Sequence, residues 1–182
     1  MGYFAPALEN PYPSSGWEKI SDFEYLTPLR LYRDVQAVLV RDGEDADYVV
    51  SDDYRVRYRL DGEPREITVP AGMLTDLASV PRIARWLVDR VGPHLEAAIV
   101  HDFLYIAWQD VVGGRGAREE DRRFADELMR VAMESAKVGA TSRSVIHRAV
   151  KSFGRPAYQE PNERRYWRPD APATPVVSDR AA

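Results

Sequence analysis

His101, Asp102 and Tyr105 stand close together in the segment EAAIVHDFLYIAWQ, residues 96–109. An imidazole titrates near neutral pH and can carry a proton to or from a reacting group, and a carboxylate beside it can bind a hard cation. The setting makes the pair informative. At about 100° per residue, Ile99, Phe103 and Ile106 fall on one side of a helix and Ala97, Leu104 and Trp108 on another, leaving no wide solvent face for His101 and Asp102. The two are expected to be buried together. A buried carboxylate is costly unless it is hydrogen-bonded, paired or metal-bound, so the pair reads either as a satisfied structural network or as a site.

Three further acids bear on this helix. Asp76 lies in PAGMLTDLASVPR, residues 70–82, a connection with neither helical nor strand periodicity. There Ser79 and Pro81 suit the cap and first turn of a helix RIARWLVDRV, whereas Asp76 has no such local role. Asp121 and Asp126 lie on a long helix expected from residue 118 to about 137, centred on Phe124, Leu128, Val131 and Ala132. Asp121 falls inside that apolar arc. Asp126 falls on its border, where pairing with Arg130 at i+4 would be an ordinary surface interaction. His147 points away from the apolar face of the last helix and His94 sits among turn residues, so neither is expected to be a ligand. One histidine and one adjacent aspartate fall short of the usual ligand set for zinc, and with no cysteine there is no thiolate site or nucleophile.

The elements that must position these residues fit one domain in a chain of 182 residues, 45% hydrophobic and 30% charged. LRLY and VQAVLV between residues 25 and 40 read as strand pieces, followed by the charged loop RDGEDAD. DYRVRYRL alternates Tyr54, Val56, Tyr58 and Leu60 with Arg55, Arg57 and Arg59, the pattern of a half-buried strand; Asp61 and Gly62 signal a turn and REITVP the returning strand. The arginine row reads as a docking surface or, more commonly, a solvated sheet face. Gly92-Pro93 separates two helices, and the glycine-rich VVGGRGA links the central helix to the next. A last helix, capped by Thr141, is expected to end at Gly154 and to bury Val145, Ile146, Ala149, Val150 and Phe153.

The whole is α+β: a small N-terminal antiparallel sheet followed by about four helices, with the His–Asp helix at the centre. Residues 23–158 form this domain, residues 1–22 an extended arm and residues 159–182 a proline-rich tail. Alone, neither end carries enough apolar periodicity to pack, so both are expected to contact other chains, with Tyr166 and Trp167 as aromatic anchors. The net charge of -4 and pI of 5.5 argue against a general nucleic-acid binder. No apolar run is long enough for a transmembrane segment, and the opening MGYFAPALENPYP lacks the order of a signal peptide.

VPAGMLTDLASVPR (69–82) and AAIVHDFLY (97–105), with ADELM around Asp126 and HRAVKSFG (147–154), resemble a family of bacteriophage and prophage proteins catalogued as domain of unknown function number 1353. The resemblance covers about residues 24–158 and implies a phage or prophage origin without assigning an activity. Separately, H-D-x-x-Y on a buried helix resembles the active-site helix of phospholipase A2 enzymes. That resemblance implies His101 as general base for water, Asp102 as a calcium ligand, and Tyr105 steadying a second aspartate that orients the imidazole. Motif position gives this last role to Asp126; packing prefers Asp121, and both stay open. The cysteines flanking the phospholipase dyad are absent, and the loop around Asp76 stands where that family has its glycine-rich calcium loop, which makes Asp76 a second candidate metal ligand. The implied function is a virion- or tail-associated accessory protein with a phospholipase-like site, located in the virion or host cytoplasm and bound to other phage structural proteins through its two ends. The alternative is an active calcium-dependent lipid or ester hydrolase used in entry or lysis.

Overall fold

Strands dominate the first part of the chain and helices the second, the α+β arrangement expected. The computed structural model describes residues 2–14, 16–39, 48–75, 92–162 and 164–170. In chain order the elements are β1 (Gly2–Phe4), β2 (Ile20–Tyr25), β3 (Leu31–Tyr32), α1 (Val35–Leu39), β4 (Tyr48–Val50), β5 (Tyr54–Leu60), β6 (Glu63–Val69) and β7 (Leu74–Thr75). There follow α2 (Leu95–Ile106) with a 3₁₀ turn at Ala107–Gln109, α3 (Glu119–Ser135), α4 (Ala140–Gln159) and β8 (Tyr166–Arg168).

The β5–β6 hairpin turns through Asp61 and Gly62, both with positive φ (52° and 88°), the backbone that a two-residue turn needs to match strand twist. Its inner face buries Tyr54, Val56, Tyr58, Ile67 and Val69. On the outer face Arg55 and Arg57 each reach Glu66 at 2.7 Å and Arg59 lies 3.6 Å from Asp22. The arginine row is thus a solvated face with cross-strand ion pairs, a weakly stabilising pattern. β2 completes this sheet in the order β2-β5-β6. α3 packs on β2 and lies against both α2 and α4, so the elements carrying the candidate residues meet at one core. No helix of the described residues is long and apolar enough to cross a membrane.

Several expectations need correction. Residues 35–39 form a helix where VQAVLV reads as a strand, because the Asp34 side chain accepts a bond from the Gln36 N–H at 2.8 Å; that local bond favours a helix start over β propensity. α4 begins after Gly139 with no side-chain cap and runs through Pro156 to Gln159. Its buried stripe is Ile146, Ala149, Val150, Gly154 and Tyr158, one step around the helix from Phe153, which is 56% exposed. Ser79, Pro81 and the helix expected after them lie outside the described residues.

The largest correction concerns the ends. β1 and β8 pair antiparallel, Tyr3 opposite Trp167, and Tyr3, Leu8, Tyr12, Tyr166 and Trp167 are all buried. The Trp167 N–H donates to the Gly72 carbonyl at 2.7 Å and the Leu74 N–H to the Arg165 carbonyl at 2.8 Å. A side chain at Gly72 (φ +90°) would meet the Trp167 carbonyl at 2.7 Å, so only glycine admits this crossing. The described parts of both ends therefore belong to the domain. Each end is too polar to pack alone, but the two satisfy each other's backbone and bury one aromatic cluster. Trp167→Ala should consequently destabilise the chain by about 3–5 kcal/mol in urea unfolding. A loss too small to measure would return β8 to the status of a detachable tail.

Candidate functional site

α2 is buried on nearly all sides, including at His101. One turn separates His101 from Tyr105, and their rings stack obliquely with centroids 4.1 Å apart. α3 supplies what they face. Its apolar residues turn Asp126 inward with them, and His101 Nε2 lies 3.0 Å from Asp126 Oδ1, with 3% of each side chain exposed. The Tyr105 hydroxyl donates to the same oxygen at 2.6 Å. The other oxygen, Oδ2, accepts from Arg122 Nη1 at 2.7 Å.

Of the two acids weighed as partner to His101, Asp126 is the one in contact. Asp121 lies five residues earlier, about 140° around the helix, and both its oxygens take a bidentate bond from Arg115 at 2.6 and 2.7 Å. It is committed to a structural ion pair. Nor does Asp126 pair with Arg130, which reaches Glu127 at 2.7 Å and Glu134 at 3.4 Å. The helix phase that buries Asp126 leaves Arg130 outside.

Arg122 and Glu119 are site residues that sequence reading missed. Arg122 is itself buried and donates to Glu119 at 2.6 Å as well as to Asp126. The hydrogen bond to Glu119, and then the charge of Asp126, push the guanidinium further above its usual value against the opposing effect of burial. The Glu119 carboxyl is correspondingly held below its usual value, first by the bond to Arg122. The i, i+3, i+7 run of Glu119, Arg122 and Asp126 was the available signal. Burial, followed by the charge of Asp126, pushes the Tyr105 phenol well up, so it remains a donor at all ordinary pH.

Asp126 accepts at Oδ1 from Tyr105 and at Oδ2 from Arg122, so it is an acceptor toward the ring as well and the proton shared with His101 sits on Nε2. That leaves Nδ1 as the lone-pair nitrogen. It is buried and has no hydrogen-bond partner among the described residues.

Asp102 points elsewhere: its Oδ2 accepts from the Thr75 hydroxyl at 2.8 Å. Asp76 lies outside the described residues, although its chain neighbour Thr75 is thereby beside Asp102. Among the described residues no three His, Asp or Glu side chains converge on a metal position. Asp102 and Thr75 supply oxygen donors of the kind calcium takes, fewer among the described residues than the six to eight it needs. His94 is buried before the first turn of α2, and His147 lies 3.4 Å from Glu127 on the outer side of α3.

The model of a family described as protein of unknown function (DUF1353) matches residues 48–150, the stretch that holds His101, Tyr105, Arg122 and Asp126. No curated protein and no solved structure matches the chain.

Gly154 sets the position of Tyr105. A methyl group on Gly154 would overlap the Tyr105 hydroxyl, so α4 can approach α2 this closely only at a residue without a side chain. Gly154→Ala should destabilise the protein by about 1–3 kcal/mol and push the phenol off Asp126. In a Tyr105→Phe background the same change should cost clearly less, because the colliding oxygen is gone. Additive losses in chemical denaturation would show that the two residues do not interact.

Proposed function

This chain belongs to the DUF1353 family, and we propose that it is a phage-encoded accessory protein, virion- or tail-associated, whose His101–Asp126 dyad activates water against an ester. One observation carries the chemistry: Nε2 of His101 is held by Asp126 while Nδ1 is buried without a partner among the described residues. In a purely structural network the open nitrogen is an uncompensated cost on the order of 1–3 kcal/mol. In a general base it is the working atom, its lone pair free and its ring fixed from behind.

In this reading Nδ1 takes a proton from water as the water oxygen adds to the ester carbonyl carbon. The imidazolium so formed keeps its Nε2–H on Asp126, whose charge stabilises it, and returns the Nδ1 proton to the departing alkoxide oxygen. Tyr105 and Arg122 hold the carboxylate still through the cycle. The arrangement of base, orienting acid and steadying phenol is what the likeness of H-D-x-x-Y to phospholipase A2 implies, which makes a lipid ester the first substrate class to test. The phage role rests on the sequence likeness of residues 69–82 and 97–105.

A second reading takes the same network as a structural lock in a particle component. The deep burial of His101 and the neutralising contact of Arg122 with Asp126 favour it. Turnover separates the two. The full chain should hydrolyse short-chain soluble esters or phospholipid vesicles, and His101→Asn should lower the rate by roughly 10²–10⁴ while leaving the circular dichroism spectrum unchanged. Asp126→Asn should lower it too, and Tyr105→Phe less. A wild-type chain without turnover on either substrate class, or a His101→Asn variant as active as wild type, would leave the structural lock. Activity that requires added calcium and is lost in Asp102→Asn would restore the metal part of the phospholipase likeness.

A further inference from the structure

A groove of about 350 Å³ lies between the segment leading into β2, α3 and α4. Its charges do not cancel. Glu127 is taken by Arg130 at 2.7 Å and by His147 at 3.4 Å. Asp126, which also lines the groove, is covered by Arg122 at 2.7 Å. Lys19, Arg123 and Lys151 remain, one from each of the three walls, and none has an acidic partner among the described residues. Against these three cations stands the exposed Glu18.

Unpaired lysines and arginines scattered over a surface are ordinary. Here three from separate elements, all exposed, line one concavity, and their like charges make it attractive to an anion. The wall that carries Lys19 also has an apolar part: Trp17 is half-buried and held edge-on against Phe124, with ring centroids 6.0 Å apart. Such a pocket offers charge to one end of a ligand and an aromatic surface to the other. Its volume is at the small end of small-molecule sites.

We propose that this groove binds a small phosphate-bearing molecule, with Lys19, Arg123 and Lys151 holding the phosphate and Trp17 covering its organic part. A phosphate monoester carries close to two negative charges and three strong acceptor oxygens, which matches three cationic donors lining one groove better than a carboxylate does. The site adjoins the His101–Asp126 dyad through Asp126 but does not use its chemistry, so the inference goes beyond the hydrolytic reading and does not depend on it.

The test is a ¹H–¹⁵N NMR titration of the full chain with inorganic phosphate and with glycerol 3-phosphate, each against sodium chloride at equal ionic strength. Saturable shifts are expected at the Trp17 indole and at the amides of Lys19, Arg123 and Lys151, with tighter binding of the glycerol ester. Arg123→Ala and Lys151→Ala, both exposed and so harmless to folding, should each weaken binding roughly tenfold, whereas His101→Asn should leave it unchanged. Shifts reproduced by chloride, or no saturation with either phosphate, would overturn the proposal. Binding to vesicles of anionic phospholipid without binding to the soluble phosphates would also overturn it, in favour of a membrane surface.

Discussion

Asp126 sets the terms on which the helical half is packed. Its carboxylate is buried between α2 and α3, and leaving such a charge uncompensated costs several kcal/mol. Three donors meet it: His101 and Tyr105 from α2, and Arg122 from its own helix. Because two of them stand one turn apart on α2, only one rotation and one longitudinal offset of α2 against α3 satisfies both. The constraint extends to α4, since Tyr105 reaches Asp126 only over Gly154. Glu119 extends it to the surface. Its depressed carboxyl contributes stability above the usual carboxylate range, and that contribution is lost as pH falls through the depressed value. With half of that side chain exposed, solvent screening keeps the contribution small.

The C-terminal end of α2 is held by a further device. Where the helix tightens into its 3₁₀ turn, the Tyr12 hydroxyl donates to the Leu104 carbonyl and accepts from the Trp108 N–H. A residue far off in the N-terminal segment thus satisfies backbone groups that the helix end leaves open. Arg115 fastens the same region, stacked over the Tyr12 ring and bidentate to Asp121. On the other side Arg165 makes a bidentate pair with Asp110. The two ends of the chain therefore brace the helix that bears His101.

Much of this was legible in the residues because period and burial act locally. The alternation of Tyr54, Val56 and Tyr58 with three arginines specified the hairpin, and the lack of a polar face around His101 specified a buried helix that needs a carboxylate. Choosing between Asp121 and Asp126 required knowing where Arg115 goes, which is a tertiary fact. Arg122 was passed over because a buried arginine is rare, and periodicity alone assigns arginines to the outside. Gly154 looked like a helix end, since glycine commonly stops helices; its use as a hollow for a hydroxyl from another helix leaves no mark in its own segment. The ends were misjudged for a related reason. Composition weighs each segment against water, whereas β1 and β8 are stabilised by each other across the length of the chain.

Orphaned buried polar atoms are not confined to His101. The hydroxyls of Tyr54 and Tyr166 and the Gln109 amide nitrogen also lack partners among the described residues, so an open atom alone does not mark a site. For the phenols the difference lies in how each is held. A phenol sits at the tip of a large apolar ring whose burial outweighs one unmade bond. The imidazole of His101 brings little apolar surface, and its opposite nitrogen is anchored to a carboxylate that two further groups immobilise. As a lock on helix register the network accounts for the anchored nitrogen but leaves the open one as a desolvation cost that a leucine would avoid. It is well arranged to hold one lone pair still.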